Sequence, residues 1–152
     1  VTEIAVGSMF ETFLDFTYSY RFGPPSHDLV VATLHVAEAS PGSFHATPQA
    51  FYFPLGLPST PSPSTRGGDL GLTAVARPRA SGDVDVTLKT RAFVQSLAFE
   101  VEGFAADDEF FHLAPGAERT VLFRREGTAA FRGYVHPLNS DLPVKIALEA
   151  SA

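Results

Sequence analysis

Along most of this chain, apolar and polar residues alternate with a period of two, the spacing of a strand with one buried face. The longest case is MFETFLDFTYSYRF, Met9 to Phe22. Phe10, Leu14, Phe16, Tyr18, Tyr20 and Phe22 fall on one face; Glu11, Asp15, Thr17, Ser19 and Arg21 fall on the other, with Phe13 the exception. Gly23-Pro24-Pro25 ends this strand. Leu29 to Val36 is a continuous apolar run suited to an inner strand, and AFYFPL, Ala50 to Leu55, predicts a third. So few strands bury too little surface to stand alone. Residues 1–57 therefore read as the closing strands of a sandwich begun elsewhere. They are expected to be completed by further sequence or, through residues 1–56, by a second copy of the chain as a homo-oligomer.

Residues 58–69 carry three prolines among serines and glycines and predict a linker. Beyond it, from 70 to 152, strands are expected at Leu70–Arg77, Val84–Arg91, Phe93–Val101, Thr120–Arg124, Ala130–His136 and Val144–Glu149, with a short one near Phe110–Leu113. Val84, Val86 and Leu88 alternate with Asp85, Thr87 and Lys89, and Val144, Ile146 and Leu148 with Lys145, Ala147 and Glu149. About seven short strands with turn signals between them describe an all-β, immunoglobulin-like β-sandwich over residues 70–152. No segment has a helical period.

The three acids Asp107-Asp108-Glu109 invite a catalytic or metal-binding reading. Adjacent residues of a strand point to opposite faces, so they make a poor glycosidase pair, and they lack the alternate spacing of a calcium loop. Aspartate is at home in turns, where its carboxylate takes nearby backbone N–H groups. Pro115-Gly116 suits the centre of a type II turn. The stretch from Ala105 to Phe123 thus predicts a corner of the sandwich, with Phe111 and Leu113 buried.

Composition narrows the chemistry. The net charge of −6 argues against a nucleic-acid partner. It is unevenly spread: residues 1–63 hold five acids and one base, residues 64–152 twelve acids and ten bases. No apolar run has the length of a membrane-spanning helix, so no membrane partner is expected. The absence of Cys excludes disulfides and thiolate metal sites. The histidines at 27, 35, 45, 112 and 136 have no metal-ligand spacing, and no nucleophile elbow or phosphate loop occurs. His27-Asp28 reads as a turn, Arg77-Pro78-Arg79 and Arg124-Arg125 as a solvated face, and the Phe10–Tyr20 stripe as core rather than a sugar-stacking surface, the more so without Trp. The expected catalytic, cofactor-binding and metal residues are therefore none, and no cofactor is expected.

Two stretches carry a resemblance. FLDFTYSYRFGPPSHDLVVATL with AFYFPLG, and DVDVTLKTRAFVQSLAFEVEGFAADDEFFHLAPGAERTVLF, resemble the C-terminal region of β-mannosidase-like enzymes of glycoside hydrolase family 2. The resemblance implies a parent enzyme that hydrolyses terminal β-mannosides with retention on a TIM barrel, followed by two immunoglobulin-like sandwiches. This chain would supply the end of the first sandwich and the whole of the last. The family's acid/base glutamate follows an asparagine, whereas the one asparagine here, Asn139, precedes Ser140. No catalytic residue carries over, so the chain alone is expected to be inactive, a scaffold whose partner is the parent's barrel. A second function class is an independent carbohydrate- or protein-binding module.

Overall fold

The computed structural model of the chain describes residues 29–33, 49–57 and 70–149, which belong to two compact units. The strand expected at Phe10–Phe22, the end of the one at Leu29–Val36 and the linker at 58–69 lie outside the described residues. In the first unit, β1 (Val30–Thr33) and β2 (Gln49–Tyr52) pair antiparallel, Val30 opposite Tyr52 and Thr33 opposite Gln49. The Gln49 side-chain amide donates to Thr33 Oγ1 at 3.2 Å across the last pair. The strand expected to run to Leu55 stops at Tyr52. Pro54 has no N–H for the ladder, and the chain turns there, with the Gly56 N–H bonded to the Phe53 carbonyl at 3.0 Å.

The described part of the second unit is all-β. Its strands are β3 (Thr73–Pro78), β4 (Val84–Lys89), β5 (Leu97–Val101), β6 (Phe104–Ala106), β7 (Glu118–Arg125), β8 (Gly133–Pro137), β9 (Val144–Lys145) and β10 (Ala147–Leu148). One sheet has the order β10-β3-β4-β7-β6 and the other β5-β8-β9. With β9 and β10 counted as one final strand, the first, second, fifth and fourth strands form one layer, and the third, sixth and seventh the other. That is the ABED/CFG division of an immunoglobulin constant-type sandwich.

The core lies between the layers. Ala74, Ala76, Val84, Val86, Leu88, Val121 and Phe123 point in from the larger sheet, and Leu97, Val135 and Ile146 come from the other side. The chain has neither the Trp nor the inter-sheet disulfide of antibody domains. Phenylalanines fill that role. Phe123 of β7 meets Phe99 of β5 edge-on at 5.0 Å, and Phe131 bridges Phe123 and Phe104 at 5.4 and 5.0 Å. Such edge-to-face pairs stabilise by about 0.5–1.5 kcal/mol beyond their burial.

Several expected boundaries move, each for a local reason. The strand expected from Leu70 begins at Thr73, because the Leu70 carbonyl instead accepts the N–H groups of Arg91 and Ala92 at 3.1 and 3.0 Å. The strand expected from Phe93 begins at Leu97, since Ser96 adopts φ 42° and breaks the pleat. The stretch near Phe110–Leu113 forms only a bridge between Leu113 and Val94. Val144–Glu149 is not one strand. β9 pairs with β8, Ile146 enters the core, and β10 crosses to lie parallel to β3, so Leu148 is 59% exposed rather than buried. Three residues without a strong pattern, Phe104–Ala106, pair with β7 as an additional strand.

At the corner, Leu113 is buried and Phe111 half-buried. Phe111 packs on the core, but the Arg119 guanidinium covers its ring with Cζ 4.0 Å from the centroid. Pro115-Gly116 forms the expected turn, with the Ala117 N–H bonded to the Ala114 carbonyl at 3.0 Å and Gly116 at φ 74°.

Candidate functional site

The outer face of the larger sheet carries a row of charged side chains, because alternation along β3, β4 and β7 sends every second residue outward. Register puts Asp85 of β4 opposite Leu122 of β7, and Thr87 opposite Thr120. The β3–β4 turn brings Arg79 back onto Asp85, and the end of β6 brings Asp107 to Leu122. Arg79, Asp85, Asp107, Thr120 and Leu122 line an open pocket of about 230 Å³. Carboxylates, a guanidinium and a hydroxyl converge there.

Their bonds run mostly to one another. The Arg79 guanidinium donates to both Asp85 oxygens at 2.7 and 2.6 Å, a bidentate pair. That hydrogen bond raises the Arg79 pKa from its already high ordinary value. Asp107 Oδ1 accepts the Leu122 N–H at 3.0 Å, while the Asp107 N–H donates to the Leu122 carbonyl at 2.9 Å. Thr87 and Thr120 share a hydroxyl bond of 3.2 Å.

The rest of this layer repeats the pattern. Arg77 donates to both oxygens of Glu149 at 2.5 and 2.9 Å, which holds the Glu149 carboxyl below the usual range. Lys89 pairs with Glu118 at 2.8 Å. Asp83 accepts the Arg125 N–H at 3.1 Å and a Ser81 hydroxyl at 2.8 Å, and both lower its pKa. The Arg125 guanidinium donates to the Gly82 carbonyl at 3.0 Å and lies over the Phe104 ring.

The three acids weighed from sequence therefore part company. Asp107 fastens the end of β6 to β7, and Asp108 pairs with Arg119. Glu109 is exposed. Among the described residues no three of His, Cys, Asp or Glu gather as a metal-binding group. Arg77, Arg79 and Arg125 are each bound locally, and Arg124 is exposed. His112 packs against Phe93, and His136 bonds Glu100 at 2.8 Å on the outer face of the second sheet. His27, Asp28, His35, His45 and the Phe10–Tyr20 stripe lie outside the described residues.

The pairs that sequence reasoning missed are cross-strand ones. Arg79–Asp85, Thr87–Thr120 and Glu100–His136 become visible only once register is known. Asp107→Ala should destabilise the sandwich by about 1 kcal/mol, the size of one turn hydrogen bond. Urea unfolding checks this, and a loss several times larger would mean that the carboxylate holds something more than the Leu122 amide.

Compared with family models, curated proteins and solved structures, the chain matches none.

Proposed function

We propose that this chain is a non-catalytic β-sandwich region of a β-mannosidase-like glycoside hydrolase, serving as scaffold or interface for a catalytic barrel. The observation that carries the non-catalytic reading is the commitment of the outer-face charges. Asp85 is clamped by Arg79, and Asp107 takes the Leu122 amide. A retaining glycosidase needs two carboxyls about 5 Å apart across a sugar bond, one as acid/base and one as nucleophile. Carboxylates tied into a sheet face serve the sheet instead. The glycosidase part of the reading rests on the sequence resemblance in Asp83–Phe123 and in the N-terminal stretches.

The test has two arms. The purified chain should not hydrolyse an aryl β-mannoside, and turnover that follows the protein through purification would overturn the reading. Titration with manno-oligosaccharides should be silent; micromolar binding would favour an independent carbohydrate-binding module. An in-frame (β/α)₈ barrel encoded upstream of Val1 is expected, and its absence would remove the parent enzyme from the proposal.

A further inference from the structure

Among the described residues, the two non-glycine positions with positive φ are Ser96 at 42° and Phe110 at 59°. Ser96 bonds the His112 imidazole, and Phe110 lies two residues before that histidine in the chain. Val94 and Leu113 exchange backbone bonds of 2.9 Å, and Leu97 is bonded to Phe110 and Phe111 at 2.6 and 2.9 Å. Between these fixed points no backbone ladder is formed, so the Ser96 N–H takes an acceptor other than a ladder carbonyl. His112 Nδ1 accepts it at 3.0 Å. An imidazole nitrogen accepts only while unprotonated, so the bond requires a neutral ring carrying its proton on Nε2.

We propose that His112 is an acid-released latch, holding the connection between β6 and β7 against β5 only while its ring is neutral. Protonation places an N–H on Nδ1, facing the Ser96 N–H. Two donors then oppose each other and the Ser96 amide loses its acceptor. Backbone in sparsely populated φ persists only while its surroundings hold it, so release favours relaxation at Ser96 and Phe110.

Among the described residues, the elements about the ring carry few charged groups. The facing segment Phe93–Ser96 has no titratable side chain. Behind it, Arg91 lies over Gly71. The turn between β8 and β9 contributes the neutral Asn139, which bonds the Gln95 N–H and the Phe93 carbonyl, and carries Asp141 as its charged residue. On the latch's own connection Asp108 is paired with Arg119, and Glu109 is exposed. Burial lowers the His112 pKa from its ordinary 6.5. A depressed folded-state pKa means the contribution is complete above the ordinary value and is lost as pH falls through the lower folded one.

Nuclear magnetic resonance on the whole chain tests the latch. At neutral pH, long-range proton–nitrogen spectra should show His112 Nδ1 without a proton; a proton there overturns the proposal. Below pH 6.5, the opening constants of the Ser96 and Phe110 amides, corrected for intrinsic exchange, should rise about tenfold per pH unit until the folded pKa is passed. Val86 in β4 should stay protected. His112→Gln keeps an acceptor oxygen that does not titrate, and should abolish the pH dependence. Opening constants that stay flat in the unaltered chain, or rise equally in His112→Gln, overturn the latch. The tautomer measurement uses the unaltered chain and stands whether or not the variant folds.

Discussion

Phe123→Ala is expected to remove a large share of the stability of the sandwich. Phe123 is 1% exposed and sits where the two layers meet. Its ring packs at 88° to Phe99 and at 80° to Phe131. β7 and β5 belong to opposite sheets, so the Phe123–Phe99 pair joins the two layers. Truncating a buried Phe costs about 3–5 kcal/mol through lost burial and the cavity left behind. A domain of this size has roughly 5–15 kcal/mol in all. Chemical denaturation should therefore show a midpoint shifted far toward water, or no cooperative transition. Leu138→Ala is the control: at 54% exposure its change should stay within about 0.5 kcal/mol. Comparable losses at both positions would mean that the aromatic cluster does not hold the layers together.

The parts of this fold legible in the sequence are those that local chemistry decides. Val84, Val86 and Leu88 lie inside and Asp85, Thr87 and Lys89 point outward because period-two patterning survives whichever neighbours β4 has. Pro115-Gly116 turns as expected because fixed φ followed by positive φ is a property of those two residues. What the sequence hid depends on partners far along the chain. Nothing between Val144 and Glu149 marks the point where the strand leaves one sheet for the other; the alternation continues unbroken, yet Leu148 ends up exposed. Ser96 carries no glycine signal for its left-handed backbone, because its N–H is held by His112, sixteen residues away. Phe111 shares the alternation of Leu113, but Arg119 covers it from β7, so it is only half-buried. The outer-face pairs were invisible for the same reason. Arg79 and Asp85 read as two unrelated surface charges until the β3–β4 turn and register bring them together.

Two glycines separate backbone strain from lack of space, and the second large effect is expected at the latter. Gly116 has φ 74° with nothing within 4 Å of where a Cβ would stand, so Gly116→Ala meets only the left-handed penalty of about 1–2 kcal/mol. Gly133 shows the opposite. A Cβ there would lie 2.6 Å from Val101 Cγ2 and nearer still to the Glu100 carbonyl oxygen. The obstruction is mainly backbone, which cannot rotate away as a side chain end can. Gly133 pairs with Val101 of β5, and its own carbonyl accepts the Ile146 N–H at 3.0 Å on the other side. Making room would push β8 off β5 while Ile146 draws it toward the last strand. Overpacking costs about 1–3 kcal/mol and occasionally more, and the fixed backbone on the obstructing side puts Gly133→Ala at the upper end, about 3 kcal/mol. Thermal or urea unfolding of the two variants in parallel gives the comparison. A Gly133→Ala chain as stable as Gly116→Ala would show that β8 and β5 can separate freely, and that the close approach at Glu100 does not set the spacing of the second sheet.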